Sequence, residues 1–118
     1  MELNTKVYLL NDNGDKFMGI GVLWLLEAIA ESASLRQAAK KMNLSYSKAY
    51  SMLSQLEKSL KREVVQRKKG GQLREGLELT PFAFEFMSLY KDFHENIKKE
   101  TKKVFGEFES SLNALMEE

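Results

Sequence analysis

The residues best suited to chemistry lie between Ser34 and Arg74. Ser45, Tyr46, Ser47, Lys48, Ser51 and Gln55 offer hydroxyls, a phenol, an ammonium and an amide within about three helical turns. Such groups hydrogen-bond to base edges and phosphate oxygens. They do not form a nucleophile–base pair. Ser34 and Arg36 stand just ahead and join the same set. Arg67, Lys68, Lys69 and Arg74 surround Gly70-Gly71, which places cations on a permissive turn suited to phosphate contact or minor-groove entry.

Other chemistries lack their residues. There is no cysteine, so disulfides and thiolate metal sites are excluded. His94 is the only histidine, flanked by Phe93 and Glu95, and reads as a surface or interface residue. Gly19-Ile20-Gly21 opens like a dinucleotide fingerprint, but Trp24 stands where the third glycine belongs. Gly71 and Gly76 have phosphate-loop spacing, but Leu77-Glu78 replaces the required Lys-Ser/Thr. Asn43-Leu44-Ser45 fits a glycosylation sequon only by chance. The expectation is a protein that is not an enzyme and needs no metal or cofactor.

Charge is segregated along the chain. The formal net charge is +1, yet residues 36–75 hold 11 basic side chains against 3 acidic ones. Both flanks are net acidic. A basic middle between acidic ends is a footprint for a polyanion; a merely solvated basic face is the competing reading. The start has no basic stretch followed by an apolar run, and the apolar run near Val22 to Ile29 is broken by Glu27 and too short for a bilayer. A cytoplasmic location and no membrane partner are therefore expected.

Elements must position these groups. Thr5 to Leu10 and Lys16 to Met18 read as a hairpin around Asn13-Gly14, residues that tolerate positive φ. A first helix follows, with Val22, Leu25, Leu26, Ile29 and Ala33 on one face. Ser34, with Gln37 three residues on, is a capping box for a short helix over Leu35 to Met42, with Leu35, Ala38, Ala39 and Met42 inward. Ser45 caps a third helix whose buried stripe is Ala49, Leu53, Leu56 and Leu60. Trp24 and Tyr50 are expected to pack in the helical core, with a DNA contact as the second reading of Tyr50. Val64 and Val65 begin a strand answered by Leu77 to Leu79 across a glycine-rich tip. Thr80-Pro81 starts a long helix, Thr as N-cap and Pro in the first turn, with Leu79 and Phe84 spaced for a hydrophobic staple.

A short helix, a tight turn and a longer helix form a helix-turn-helix, whose second helix enters the major groove. Here the residues carry a resemblance. Leu25 to Leu60 resembles the DNA-binding half of LysR-type regulators, and more closely the N-terminal domain of ModE-type molybdate-responsive regulators. The shared features are Ser34-Leu35 before Ala38-Ala39, Leu44-Ser45-Tyr46-Ser47 before Ala49-Tyr50, and Leu56-Glu57. Gln66-Arg67, Gly70-Gly71 and Leu79-Thr80-Pro81 extend it through the wing. The hairpin and the Gly19-Ile20-Gly21 stretch look like the molybdate-regulator version. The resemblance covers roughly Lys6 to Met87 and implies that Ser45, Tyr46, Ser47, Lys48 and Ser51 face DNA, that Arg67 to Lys69 sit in the wing, and that the last helix dimerises. Lys61-Arg62-Glu63 lacks the Gly and Pro often found before the wing. At 118 residues there is no room for an effector domain, so molybdate sensing is not expected, and no small-molecule effector is indicated.

The dimer also has its own physical argument. A helix from Pro81 to near Glu118 would run about 50 Å, against roughly 30 Å for a domain of this size. Its apolar positions, Phe82, Phe86, Leu89, Phe93, Ile97, Val104, Phe108 and Leu112, extend beyond one core and call for a second chain. Gly106 is the weak point, where the helix could instead break and fold back. The fold expected is mainly α with small β: a winged helix-turn-helix with an N-terminal hairpin over residues 1–79, and a dimerisation helix over residues 80–118. The function expected is homodimeric, sequence-specific double-stranded DNA binding in transcriptional regulation. The alternative is a winged-helix protein–protein interaction adaptor.

Overall fold

The structure is a computed structural model that describes residues 1–67 and 76–118. Its elements run β1 (Tyr8–Leu10), β2 (Lys16–Gly19), α1 (Ile20–Ser32), α2 (Leu35–Lys41), α3 (Tyr46–Leu60), β3 (Val65–Arg67), β4 (Leu77–Leu79) and α4 (Pro81–Met116). Two compact units result: Tyr8–Met87, and Met1–Val7 with Ser88–Glu118.

In the first unit, β1 and β2 pair antiparallel, with a register shift between Leu9 and Leu10. Their loop is a local device. The Asn11 side-chain oxygen accepts the N–H groups of Asn13 and Asp15, both at 2.9 Å. Of the two residues that tolerate positive φ, Gly14 adopts it, at 85°, and Asn13 does not. The loop is wider than a two-residue turn, so one left-handed residue closes it.

The helical caps follow their side chains. Ser34 Oγ accepts the Gln37 N–H at 3.1 Å and Ser45 Oγ the Lys48 N–H at 3.1 Å. Each satisfies a donor that the helix leaves orphaned. Asn43, in the turn between α2 and α3, is left-handed with φ 57°. Ala38 and Ala49 are fully buried, which lets α2 and α3 approach closely. Met18, Leu25, Leu26, Ile29, Leu56 and Val64 complete the solvent-free centre.

Helix α1 is buried more widely than one stripe, for Leu23 and Ala28 are buried as well. Ala33 is not on that face; it is the left-handed C-cap at φ 55°. Its carbonyl accepts the Leu77 N–H at 3.0 Å, joining the end of α1 to the wing. Met42 and Leu60, expected inward, are only half-buried at the ends of their helices.

Strands β3 and β4 pair antiparallel, with Val65 opposite Leu79 and Arg67 opposite Leu77. Thr80 fastens the exit. Its hydroxyl donates to the Glu63 carbonyl at 2.9 Å and accepts the Ala83 N–H at 3.1 Å, the N-cap bond of α4. Within this unit Ala83 and Met87 are the covered residues of α4. Phe82 and Phe86 are half-buried, one turn apart and stacked with ring centres 6.3 Å apart. Phe84, expected to staple onto Leu79, is exposed although Leu79 is buried.

Helix α4 is continuous through Gly106, so the break does not occur. Thirty-six residues make it about 54 Å long. In the second unit, Lys98 Nζ donates to both the carbonyl and the hydroxyl of Thr5, and the Tyr90 hydroxyl donates to the Val7 carbonyl at 3.3 Å. Burial pushes the Tyr90 phenol above its ordinary pKa. No helix among the described residues is long and apolar enough to cross a membrane.

Candidate nucleic-acid interface

Helix α3 carries the site. Ala49, Leu53 and Leu56 bury one face, which turns the rest of the helix outward. Ser45, Tyr46, Ser47, Lys48, Tyr50 and Ser51 are all exposed. Gln55 is half-buried beside Lys48, Met52, Lys16 and Phe17, where α3 meets β2. The outward face is therefore polar and aromatic, and it includes the N-terminal turn with its positive dipole end.

Two aromatic residues dominate that face. Tyr46 and Tyr50, one turn apart, stack with ring centres 6.5 Å apart. Tyr50 is 59% exposed, so it does not pack in the helical core. The spacing contained the signal: Tyr50 lies four residues after Tyr46 and one after buried Ala49, about 100° away from the buried stripe. Trp24, also expected in the core, is 55% exposed on α1 beside Glu27, Glu31 and Lys41.

Arg36 reaches from α2 and places its guanidinium 5.0 Å from the Tyr46 ring centre, a cation–π contact. Ser34, Arg36, Ser45, Tyr46, Ser47 and Lys48 thus belong to the facing starts of α2 and α3. Lys41 is engaged elsewhere. It bonds Glu31 of α1 at 2.6 Å, and that hydrogen bond, with the attendant charge attraction, holds the Glu31 carboxyl below its usual range. Arg62 covers the Phe82 ring at 4.3 Å. Among the described basic residues of this stretch, Lys41 and Arg62 therefore have partners within the chain.

Glu57, which entered the sequence reading only through the resemblance, is a structural support. Its carboxylate accepts the Val64 N–H at 2.8 Å and lies 3.4 Å from the Val65 nitrogen. It therefore ties α3 to the first residue of β3. Arg67 is exposed at the far end of that strand. Lys68, Lys69 and Arg74, expected in the wing, lie outside the described residues.

The sequence profile of the bacterial regulatory helix-turn-helix proteins of the lysR family matches residues 21–83, more than half of the chain. The chain belongs to the LysR family. This is a family of regulatory proteins rather than of enzymes. The match runs from the first turn of α1 to the first turn of α4, so it contains the whole helix-turn-helix and wing and leaves the N-terminal hairpin outside.

Solved LysR structures have the same fold. The DNA-binding domain of CbnR, crystallised with DNA, is similar with TM-score 0.56 and 22% identity over 73% of this chain and 93% of that one. The BenM DNA-binding domain in complex with benA site 1 DNA is similar with TM-score 0.55 and 18% identity, over 74% and 95%. Against full-length CbnR, a LysR family transcriptional regulator, the chain spans 28% of that protein's length. No curated protein sequence matches the chain.

Proposed function

We propose that this chain is a sequence-specific double-stranded DNA-binding transcriptional regulator that acts as a homodimer. The observation that carries the reading is the outward face of α3: Ser45, Tyr46, Ser47, Lys48, Tyr50 and Ser51, exposed together on the second helix of a LysR-family helix-turn-helix. In this reading the start of α3 enters the major groove. Ser47, Ser51 and the tyrosines meet base edges and thymine methyls, while Lys48, Ser34 and Arg36 hold phosphates. Arg67 begins a wing that Lys68, Lys69 and Arg74 would continue along the backbone. Residues 1–79 act as the DNA-binding part and residues 80–118 as the dimerisation helix, in a protein working in the cytoplasm. The hairpin ahead of the matched region supports a kinship with the molybdate-regulator branch in architecture.

The dimer reading has its own support. Leu89, Phe93, Ile97, Val104, Phe108 and Leu112 recur on one side of α4 with steps of 4, 4, 7, 4 and 4. That order is the same in both directions. Two copies of the helix laid antiparallel about the point between Glu100 and Thr101 would pair Leu89 with Leu112, Phe93 with Phe108 and Ile97 with Val104. All but half-buried Leu112 are exposed in the single chain, Leu89 by 71%. A dimer would present two recognition helices to half-sites about 34 Å apart or a multiple of that.

Fluorescence anisotropy with random duplex DNA at low and moderate salt tests the function. Selection from a random duplex pool then tests its specificity. The exposed Tyr46–Tyr50 pair favours a second reading, a protein-docking adaptor, because such aromatics anchor interfaces. Duplex affinity that stays negligible at low salt would favour the adaptor.

A further inference from the structure

We infer that the N-terminal arm, residues 1–7, forms part of the dimer seam, where Leu3 of one subunit packs against α4 of a second copy of this chain. The inference rests on the antiparallel dimer proposed above. It adds a segment that lies outside the matched family region, which begins at residue 21.

The arm is held, not loose. Lys98 grips the carbonyl and hydroxyl of Thr5, and the buried Tyr90 holds the Val7 carbonyl. These anchors are eight helical positions apart, so the arm runs along α4 with its N-terminus toward the helix C-terminus. Beyond Thr5, Leu3 joins Ile97, Val104, Phe105 and Phe108 around one open, almost wholly apolar groove. Leu3 remains 46% exposed there, Val104 62% and Phe108 57%. An arm pinned by a charged bond and a buried phenol, with its leucine left beside water, presents a surface without its cover.

The position of the groove identifies the cover. Ile97 and Val104 flank the point about which the apolar spacing reads the same both ways, and they pair with each other in the antiparallel arrangement. Phe108 pairs with the partner's Phe93. Whatever covers the groove must therefore carry the same apolar sequence in the reverse direction, and a second α4 does. Leu3, next to Val104 and Phe108, then reaches the partner's Phe93 and Ile97. Both arms lie on the same side of the helix pair, and each spans the centre.

The test uses the 118-residue chain and its lack of cysteine. Sedimentation equilibrium gives the dimer dissociation constant for wild type, Leu3→Asp and Lys98→Met. Circular dichroism melts at fixed concentration check that each variant is folded. Both variants should weaken dimerisation by about tenfold or more, since each removes apolar cover or the pin that places it. In a second arm, a chain carrying only Leu3→Cys is mixed with a chain carrying only Phe93→Cys under mild oxidation. A disulfide between the two chains is expected. A wild-type dimer whose dissociation constant is unmoved by Leu3→Asp, with no such crosslink, overturns the role of the arm and leaves the dimer standing. A wild-type chain that is monomeric at every concentration overturns both. DNA binding by the α3 surface is read separately, from Lys48→Ala.

Discussion

The carboxylate of Glu57, near the end of α3, accepts the main-chain N–H of Val64 at 2.8 Å as the chain turns into the wing. Val64 is fully buried, so no water can replace this acceptor. Glu57→Ala should cost about 1–3 kcal/mol, the penalty for a dry, unsatisfied donor. Glu57→Gln, which keeps a carbonyl oxygen, should cost less. Urea unfolding measures both. An alanine variant as stable as wild type would remove the support assigned to this residue.

Lys61 ends α3 in the left-handed conformation, φ 56°, at the place where a glycine is absent from the sequence. A side chain at such a position carries a strain of about 1 kcal/mol. Lys61→Gly should therefore raise stability by about that much, offset in part by the freedom glycine adds to the unfolded chain. Lys61→Ala, which keeps its Cβ, should give no such gain. Equal midpoints for the glycine and alanine variants in urea would contradict the strain argument.

Gly106 sits inside α4 with open space where a Cβ would stand. It lies nine residues after Ile97, about half a turn away from the apolar side. Gly106→Ala should stabilise the helix by about 0.5–1 kcal/mol and leave the dimer dissociation constant unchanged. Thermal melts and sedimentation read the two quantities separately. A weakened dimer would mean that the seam reaches this side of the helix.

Lys48→Ala and Tyr50→Ala probe the α3 face. Both residues are exposed, so stability should stay within about 0.5 kcal/mol of wild type. Lys48→Ala should weaken binding to duplex DNA and flatten the slope of log affinity against log salt by about one. Tyr50→Ala should weaken the selected sequence more than random duplex, with the salt slope unchanged, because a phenol releases no counterion. Anisotropy titrations across salt concentrations check both. Unchanged affinity in both variants would place the DNA contact elsewhere.

Much of the architecture was legible because it is written in local chemistry. Ser34, Ser45 and Thr80 are short hydroxyl side chains that satisfy the N–H groups three residues on, and such bonds need no tertiary context. They set the starts of α2, α3 and α4, and hence the order of elements on which the helix-turn-helix reading stands. The exposed character of Ser45 to Lys48 also followed, since Ala49, Leu53 and Leu56 could bury only one side of α3.

What depended on distant partners had to come from the folded chain. Trp24 is large and apolar enough to fill a core, and only the placement of neighbouring helices left it facing outward. The apolar side of α4 is broader than one neighbour can cover, so its period alone could not say that Ala83 and Met87 are buried while Leu89 and Phe93 are not. The same holds for Glu57, seven residues from the N–H it accepts, and for Lys98, which meets Thr5 across nearly the whole length of the chain. A cap is decided within one helical turn. Which flank of a helix is covered, and which charge finds a partner, is decided by segments that meet only when the chain has folded.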